Sequence, residues 1–169
     1  IQNQQQVRSG LDSLGDSASK LWNVARWTVD RVWEATGEIP DEGTLKAYMK
    51  TRHCWKDLNS QSSQAVIEEL SGAFQSWFDV RQKDDRTNPP GYRKHGESRP
   101  RSTITFKEDG FKHDPENNRV RLSKGQNLKE NWSDFILCEY QTRPGVDLSK
   151  VERVQQVRAV WNGEQWEIH

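Results

Sequence analysis

Long apolar runs are missing from this sequence of 169 residues. The longest is Phe135-Ile136-Leu137-Cys138, far short of the roughly twenty residues that cross a bilayer, so no membrane-spanning helix is expected. Cysteine is almost absent. Cys54 and Cys138 stand far apart with no CxxC spacing, which fits a reducing compartment. No excess charge of either sign exists, with 25 basic and 25 acidic residues. The polar opening Ile1-Gln2-Asn3-Gln4-Gln5-Gln6 shows no secretory leader, and a cytoplasmic protein is expected. Aliphatic and phenyl side chains are also few. Leu, Ile, Val and Phe together number thirty-three, and the mean hydropathy is −1.04, at the border where chains stop folding. Eight Trp residues and the balanced charge restore the case for a folded chain, because each indole buries a large area. A thin core under a very polar surface follows.

Catalytic signatures are missing as well. No GxSxG, Walker or GxGxxG motif occurs, and His53, His95, His113 and His169 are scattered without a second ligand pair at metal spacing. Asp84-Asp85 and Glu68-Glu69 read as solvated helix surface. A small nuclease working through His113, Asp114 or the Asp84-Asp85 pair is the weakest of the functional readings.

Two structural regimes follow one another. From about Ser9 to Lys83 the apolar residues have helical period. Leu14, Ala18, Leu21, Ala25 and Val32 mark one helix, with Leu11, Trp22, Val29 and Trp33 widening its stripe and Gly37 ending it. A second helix is predicted from Pro40 or Asp41 to Lys50, with Leu45 and Met49 inward. The third starts at an Asn59 or Ser60 cap and buries Ala65, Val66, Leu70, Ala73, Phe74, Trp77 and Phe78. Trp22, Trp33 and Trp77 are expected in the core. Pro89-Pro90-Gly91 then forbids helix. Beyond it, strands are predicted at Ser102–Lys107, Arg119–Ser123, Phe135–Thr142, Val154–Trp161 and Gln165–His169, with Asn162-Gly163 as a two-residue hairpin turn. The expected fold is α+β: a three-helix bundle joined to a small antiparallel β-barrel.

Charge is balanced overall but not locally. Between Arg86 and Lys107 six cations (Arg86, Arg93, Lys94, Arg99, Arg101, Lys107) face Glu97 alone. A basic, turn-rich segment with Tyr92 available for stacking suits a phosphate backbone; the competing reading is a solvated linker. Lys112, Arg119, Arg121, Lys124 and Lys129 extend the positive charge into the strands, interrupted by Asp109, Asp114, Glu116 and Glu130. The second cluster, Asn59-Ser60-Gln61-Ser62-Ser63-Gln64, puts amides and hydroxyls at a helix start whose N–H groups favour anions. Gln61 and Gln64 lie one turn apart, and glutamine reads adenine in a major groove. The alternative there is capping alone.

The order of these features resembles the TnpB/OrfB family, transposon-encoded RNA-guided DNA endonucleases related to compact type V CRISPR effectors. The residues that carry the likeness are Leu58–Leu70, Ala73-Phe74-Gln75-Ser76-Trp77-Phe78, Pro90-Gly91-Tyr92-Arg93-Lys94 and Ser102–Phe106. Leu21-Trp22-Asn23, Gly37–Glu42 and Trp161-Asn162-Gly163 look like the haloarchaeal versions. The resemblance implies a wedge-like, OB-like barrel with an inserted helical recognition domain, divided here into residues 1–8 as the end of the first barrel strand, 9–86 as the helical domain, 87–101 as a basic connector and 102–169 as the barrel. It implies guide RNA and double-stranded DNA beside a transposon-adjacent motif as partners, and no membrane. Ser60, Gln61 and Gln64 would face that DNA with Ser102, Thr103 and Thr105. Tyr92, Arg93, Lys94, Arg99 and Arg101 would grip backbone, with Lys107 and Lys124 adding charge. The family's RuvC-like carboxylates and zinc cysteines match no position in this chain, so no cofactor is expected here. Divalent metal and zinc would belong to a separate nuclease domain, and no cleavage by these residues alone is expected.

Overall fold

The helical period winds into α1, Gln4–Thr36, a helix of 33 residues. Its buried stripe runs Val7, Leu11, Leu14, Ala18, Leu21, Trp22, Ala25 and Val29, spacings of three, four and seven that keep one face inward. Gly37 ends it at φ 72°, the left-handed conformation glycine adopts without penalty, and its N–H donates to the Trp33 carbonyl at 2.8 Å. Residues 4–8 are therefore helical and residues 1–3 form no strand, so the expected end of a first barrel strand is not found at residues 1–8. The computed structural model describes residues 1–94, 101–129 and 134–169.

α2, Glu42–Met49, is capped by Asp41, whose carboxylate accepts from the Thr44 N–H at 2.8 Å. A 3-10 segment, His53–Asp57, leads to α3, Ser60–Arg81, capped by Asn59 through the Ser62 N–H at 3.0 Å. Val66, Ile67, Leu70 and Phe74 of α3 are buried. Trp22 is buried as expected and Trp77 is half-buried, but Trp33 is 41% exposed. No residue of α1 beyond Val29 is buried; the helix outruns its cover there, and the Trp33 ring meets Phe78 at 6.4 Å between centroids. Gly72 lies on the exposed side of α3, and a Cβ added there meets nothing within 4 Å. Gly72→Ala is expected to stabilise the protein by about 1 kcal/mol, the helix-propensity difference. Urea unfolding followed by circular dichroism measures it, and an unchanged or lowered midpoint contradicts the expectation.

The strands are β1 (Ile104–Lys107), β2 (Phe111–Asp114), β3 (Arg119–Ser123), β4 (Phe135–Glu139), β5 (Gln156–Trp161) and β6 (Trp166–Ile168). They make two three-stranded antiparallel sheets, β1–β5–β6 and β2–β3–β4, so the fold is α+β. Among the described residues no ladder joins the sheets, and the expected barrel is not closed. Two local causes are visible. The 3-10 turn Glu108–Gly110, with Glu108 at φ 35°, sends the chain from β1 into the other sheet, so β1 and β2 do not pair. Side chains also occupy strand edges. The Gln4 amide donates to the Trp166 carbonyl at 2.5 Å and accepts from its N–H at 3.2 Å. The Asn3 amide treats Leu137 O and Glu139 N of β4 the same way, both at 2.9 Å.

The last hairpin turns one residue later than expected. The Asn162 N–H donates to Gln165 O at 3.1 Å, which centres the turn on Gly163-Glu164, with Gly163 at φ 107°. The Asn162 side chain closes the loop by accepting from both Glu164 N and Gln165 N.

One apolar cluster spans helices and strands, running from Leu11, Leu14 and Leu70 to Ile104, Phe106, Leu122 and Trp166. Cys54 and Cys138 lie in it. Burial pushes the Cys138 thiol up to about 12 and raises that of Cys54. Neither is expected to react with iodoacetamide near neutral pH until the protein unfolds; fast labelling of native protein would contradict this. Because unfolding exposes a thiol that ionises near 9.0, the stability Cys138 contributes is present below that pH and is lost as pH rises toward 12.

Candidate nucleic-acid interface

The start of α3 is fastened to both sheets. Asn59 not only caps the helix; its Nδ2 donates to Ser123 O at the end of β3 at 3.3 Å. The buried Ser62 hydroxyl donates to Thr105 O of β1 at 2.6 Å, and Ser63 Oγ to Trp55 O at 2.7 Å. β1 is an edge strand, and the helix start covers its open carbonyl. In β1, Ile104 and Phe106 point into the core, which leaves Thr105 and Lys107 on the other face in line with exposed Thr103.

This construction produces a polar platform of two elements. From α3 it presents Ser60, Gln61 and Gln64; the Gln64 amide donates to Ser60 Oγ at 3.3 Å. From β1 it presents Thr105 and Lys107. Glu68 fixes the seam, because it takes Lys107 Nζ at 2.8 Å and Lys46 Nζ of α2 at 2.9 Å. Burial raises the Glu68 carboxyl, but the two ammonium hydrogen bonds outweigh it and hold it below its ordinary value. Gln61 and Lys107 open onto a cleft of about 1100 Å³, whose other wall carries Glu108, Asp109 and Glu152. Lys124 stands at the near corner, where its backbone bridges Leu58 just before the α3 cap.

The connector is a different case. It runs antiparallel along α1: Arg26 Nε donates to Pro90 O at 2.6 Å, Trp22 Nε1 to Gly91 O at 2.9 Å, and Asn23 exchanges two 2.7 Å bonds with the Arg93 backbone. The Arg93 guanidinium lies 4.0 Å from the Trp22 ring centroid and bonds Glu69; burial lowers its pKa. Arg101 pairs with Asp12 of α1 and packs 4.1 Å over Trp161. Ser102 Oγ meets Ser19 Oγ at 2.6 Å and faces α1 rather than the platform. Tyr92 is exposed, but its hydroxyl donates to Asp30 at 2.8 Å and the Arg26 guanidinium sits 5.4 Å from its ring. Arg86 is bound to Asp84 at 3.1 Å. Lys94 is exposed and unpaired among the described residues, whereas Arg99 falls outside them. Among its described residues, then, this segment is a staple in which Arg86, Arg93, Arg101 and Lys107 each have an acid and Lys94 has none.

The residues behind the enzymatic alternative do not converge. His113 Nε2 is 2.7 Å from Tyr140 Oη, Asp114 is held by Asn117 in a turn, and Asp84 by Arg86. Among the described residues no three His, Cys, Asp or Glu side chains group to hold a metal, and no helix is long and apolar enough to cross a membrane.

Ser62 and Glu68 organise the platform, and the Glu68-Glu69 pair read from sequence as solvated surface is instead tied up, Glu68 with Lys46 and Lys107 and Glu69 with Arg93. Ser62 lay inside a recognised polar cluster, but nothing local distinguishes its inward hydroxyl. Glu68 needs partners 22 and 39 residues away, which no spacing rule supplies. The sequence matches no protein-family description and no curated protein.

Proposed function

We propose that this chain is the nucleic-acid-binding part of a TnpB-type RNA-guided DNA endonuclease, acting in the cytoplasm and holding guide RNA and target-adjacent double-stranded DNA without cutting them. The two sheets serve as the wedge-like unit and the three helices as the recognition unit; cutting would fall to a separate nuclease domain. One observation carries the reading. The Ser62–Thr105 bond locks Gln61 and Gln64 beside the outward residues of β1, so two glutamine amides project from a rigid platform rather than from a loop. Preorganised amides at one-turn spacing suit bidentate contacts to adenine edges, worth about 1–3 kcal/mol of discrimination per base. Exposed Ser60, Thr103 and half-buried Lys124 supply hydroxyls and charge around them.

The test is selection of a randomised DNA duplex pool on the wild-type protein and on Gln61→Ala and Gln64→Ala. The wild type is expected to enrich a short motif. Each variant is expected to lose discrimination at one position by about tenfold to a hundredfold with unchanged helicity, the equivalent of that energy. RNA that co-purifies from the host would be sequenced in parallel. No enriched motif and no salt-dependent retention of RNA would overturn the reading. It would favour instead a non-binding remnant, consistent with the internal pairing of Arg93 and Arg101.

A further inference from the structure

The geometry points to a second, uncommitted basic track on the outer face of β2–β3–β4, leading into the groove between β4 and the first turns of α1, which carries the phosphodiester backbone of a single-stranded nucleic acid. The inference rests on the nucleic-acid reading above and adds a site to it. Cross-strand register sets Lys112 of β2 opposite Arg121 of β3, and Arg121 opposite Leu137 of β4, in one outward row. The Arg121 guanidinium lies 4.7 Å from the Phe135 ring centroid, which carries the row toward the end of the strand. Two nearby acids have other partners. Asp114 is tied to Asn117, and Glu139 meets Arg119 at 3.4 Å one row away.

At the strand end the chain passes into a groove of about 590 Å³. Lys124 and Lys129 stand on one side, exposed Gln6, Ser9 and Ser13 of α1 on the other, and Leu137 between them. No Asp or Glu lines it among the described residues. Lys112, Arg121, Lys124 and Lys129 make no ion pair among those residues, in contrast to Arg93, Arg101 and Lys107, each of which has an acid. Cations with no protein counter-charge hold mobile counterions, and a polyanion gains by releasing them. Apolar Leu137 beside lysines and hydroxyls suits unstacked sugars and bases, which a duplex keeps inside. Lys124 lines the groove, and its backbone bridges Leu58 just before the α3 platform.

Fluorescence anisotropy with oligouridylate, oligothymidylate of equal length and a DNA duplex, over a range of salt, tests this on the whole chain. Lys124→Gln/Lys129→Gln is expected to weaken single-strand binding about tenfold and to flatten the slope of log affinity against log salt by about 1.4, two phosphates' worth. Lys50→Gln/Lys83→Gln removes the same charge from exposed sites elsewhere and is expected to change the slope by less than half as much. Ser13→Glu, at an exposed helical position, adds an acid to the wall and is expected to weaken binding with an unchanged melting curve. The oligonucleotide that shows the larger slope loss identifies RNA or DNA as the occupant. If the wild type binds and both lysine pairs behave alike, or only the duplex responds, the groove assignment falls while the platform reading stands. If the wild type binds none of the three probes, the groove and the broader reading both fall.

Discussion

Trp166→Ala is expected to cost about 3–5 kcal/mol, the range for emptying a buried indole site, and so about a fifth or more of the stability of an ordinary domain. Trp166 has no exposed surface. Its Nε1 donates to Asp12 Oδ1 at 2.8 Å, and its ring packs edge-on against Trp161 at 5.8 Å. The same Asp12 holds Arg101, which itself lies over Trp161. Removing the indole therefore opens a cavity against α1 and takes one donor from a carboxylate that organises three elements. Trp166→Phe keeps most of the volume and loses the N–H; it is expected to cost about 1–2 kcal/mol, because a hydrogen-bonded group loses one partner but keeps another. Equilibrium urea unfolding monitored by circular dichroism separates the two. A loss below 1 kcal/mol for Trp166→Ala would mean that the packing of β6 on α1 does not depend on this contact.

Gly125→Ala is expected to destabilise by about 3 kcal/mol, at the upper end for overpacking. Conformation is not the reason, since the residue sits at φ −73°, ψ 163°, where any side chain is at ease. Space is the reason. A Cβ there would lie 2.3 Å from Asp57 C and Lys56 O, and both are backbone atoms that cannot rotate away. Gly125 precedes the Gln126–Leu128 turn, and Asn127 of that turn bonds His53 O at 2.9 Å and Asp57 at 2.8 Å. The substitution thus forces apart the segments before α3 and after β3. A melting temperature within error of wild type would show that these segments give way freely.

The helices were legible because their signals are local. Asn59 caps where expected, Asp41 caps a helix expected to begin at Pro40 or Asp41, Gly37 ends α1, and the apolar period names the buried face. Strands with alternation were legible too, and Arg119–Ser123 matches its expected bounds. β2 was not: Phe-Lys-His-Asp offers one inward residue, and its strand exists because Phe111 pairs with Leu122 across the ladder. The candidate site divides on the same line. That Gln61 and Gln64 share a helix face follows from spacing; that Ser62 anchors them to Thr105 does not. Counting charge along residues 86–107 pointed to the connector, but charge counted along a chain ignores partners distant in sequence. Asp12 is 89 residues from Arg101, and Glu69 is 24 from Arg93. The same ignorance undervalued Lys112 and Arg121, whose sequence neighbour Asp114 is held by Asn117.

The polar opening of the chain has a mechanical meaning. Gln4 and Asn3 lend amide side chains to Trp166, Leu137 and Glu139 where a further strand would otherwise supply backbone. A ladder between the sheets would have to unravel residue by residue, whereas these four bonds, at about 1 kcal/mol each, part when two side chains change rotamer. The Gln2 N–H adds one backbone bond to the Glu139 carbonyl at 2.6 Å, so the clasp on the two strand edges is the short stretch Gln2–Gln4 where α1 begins.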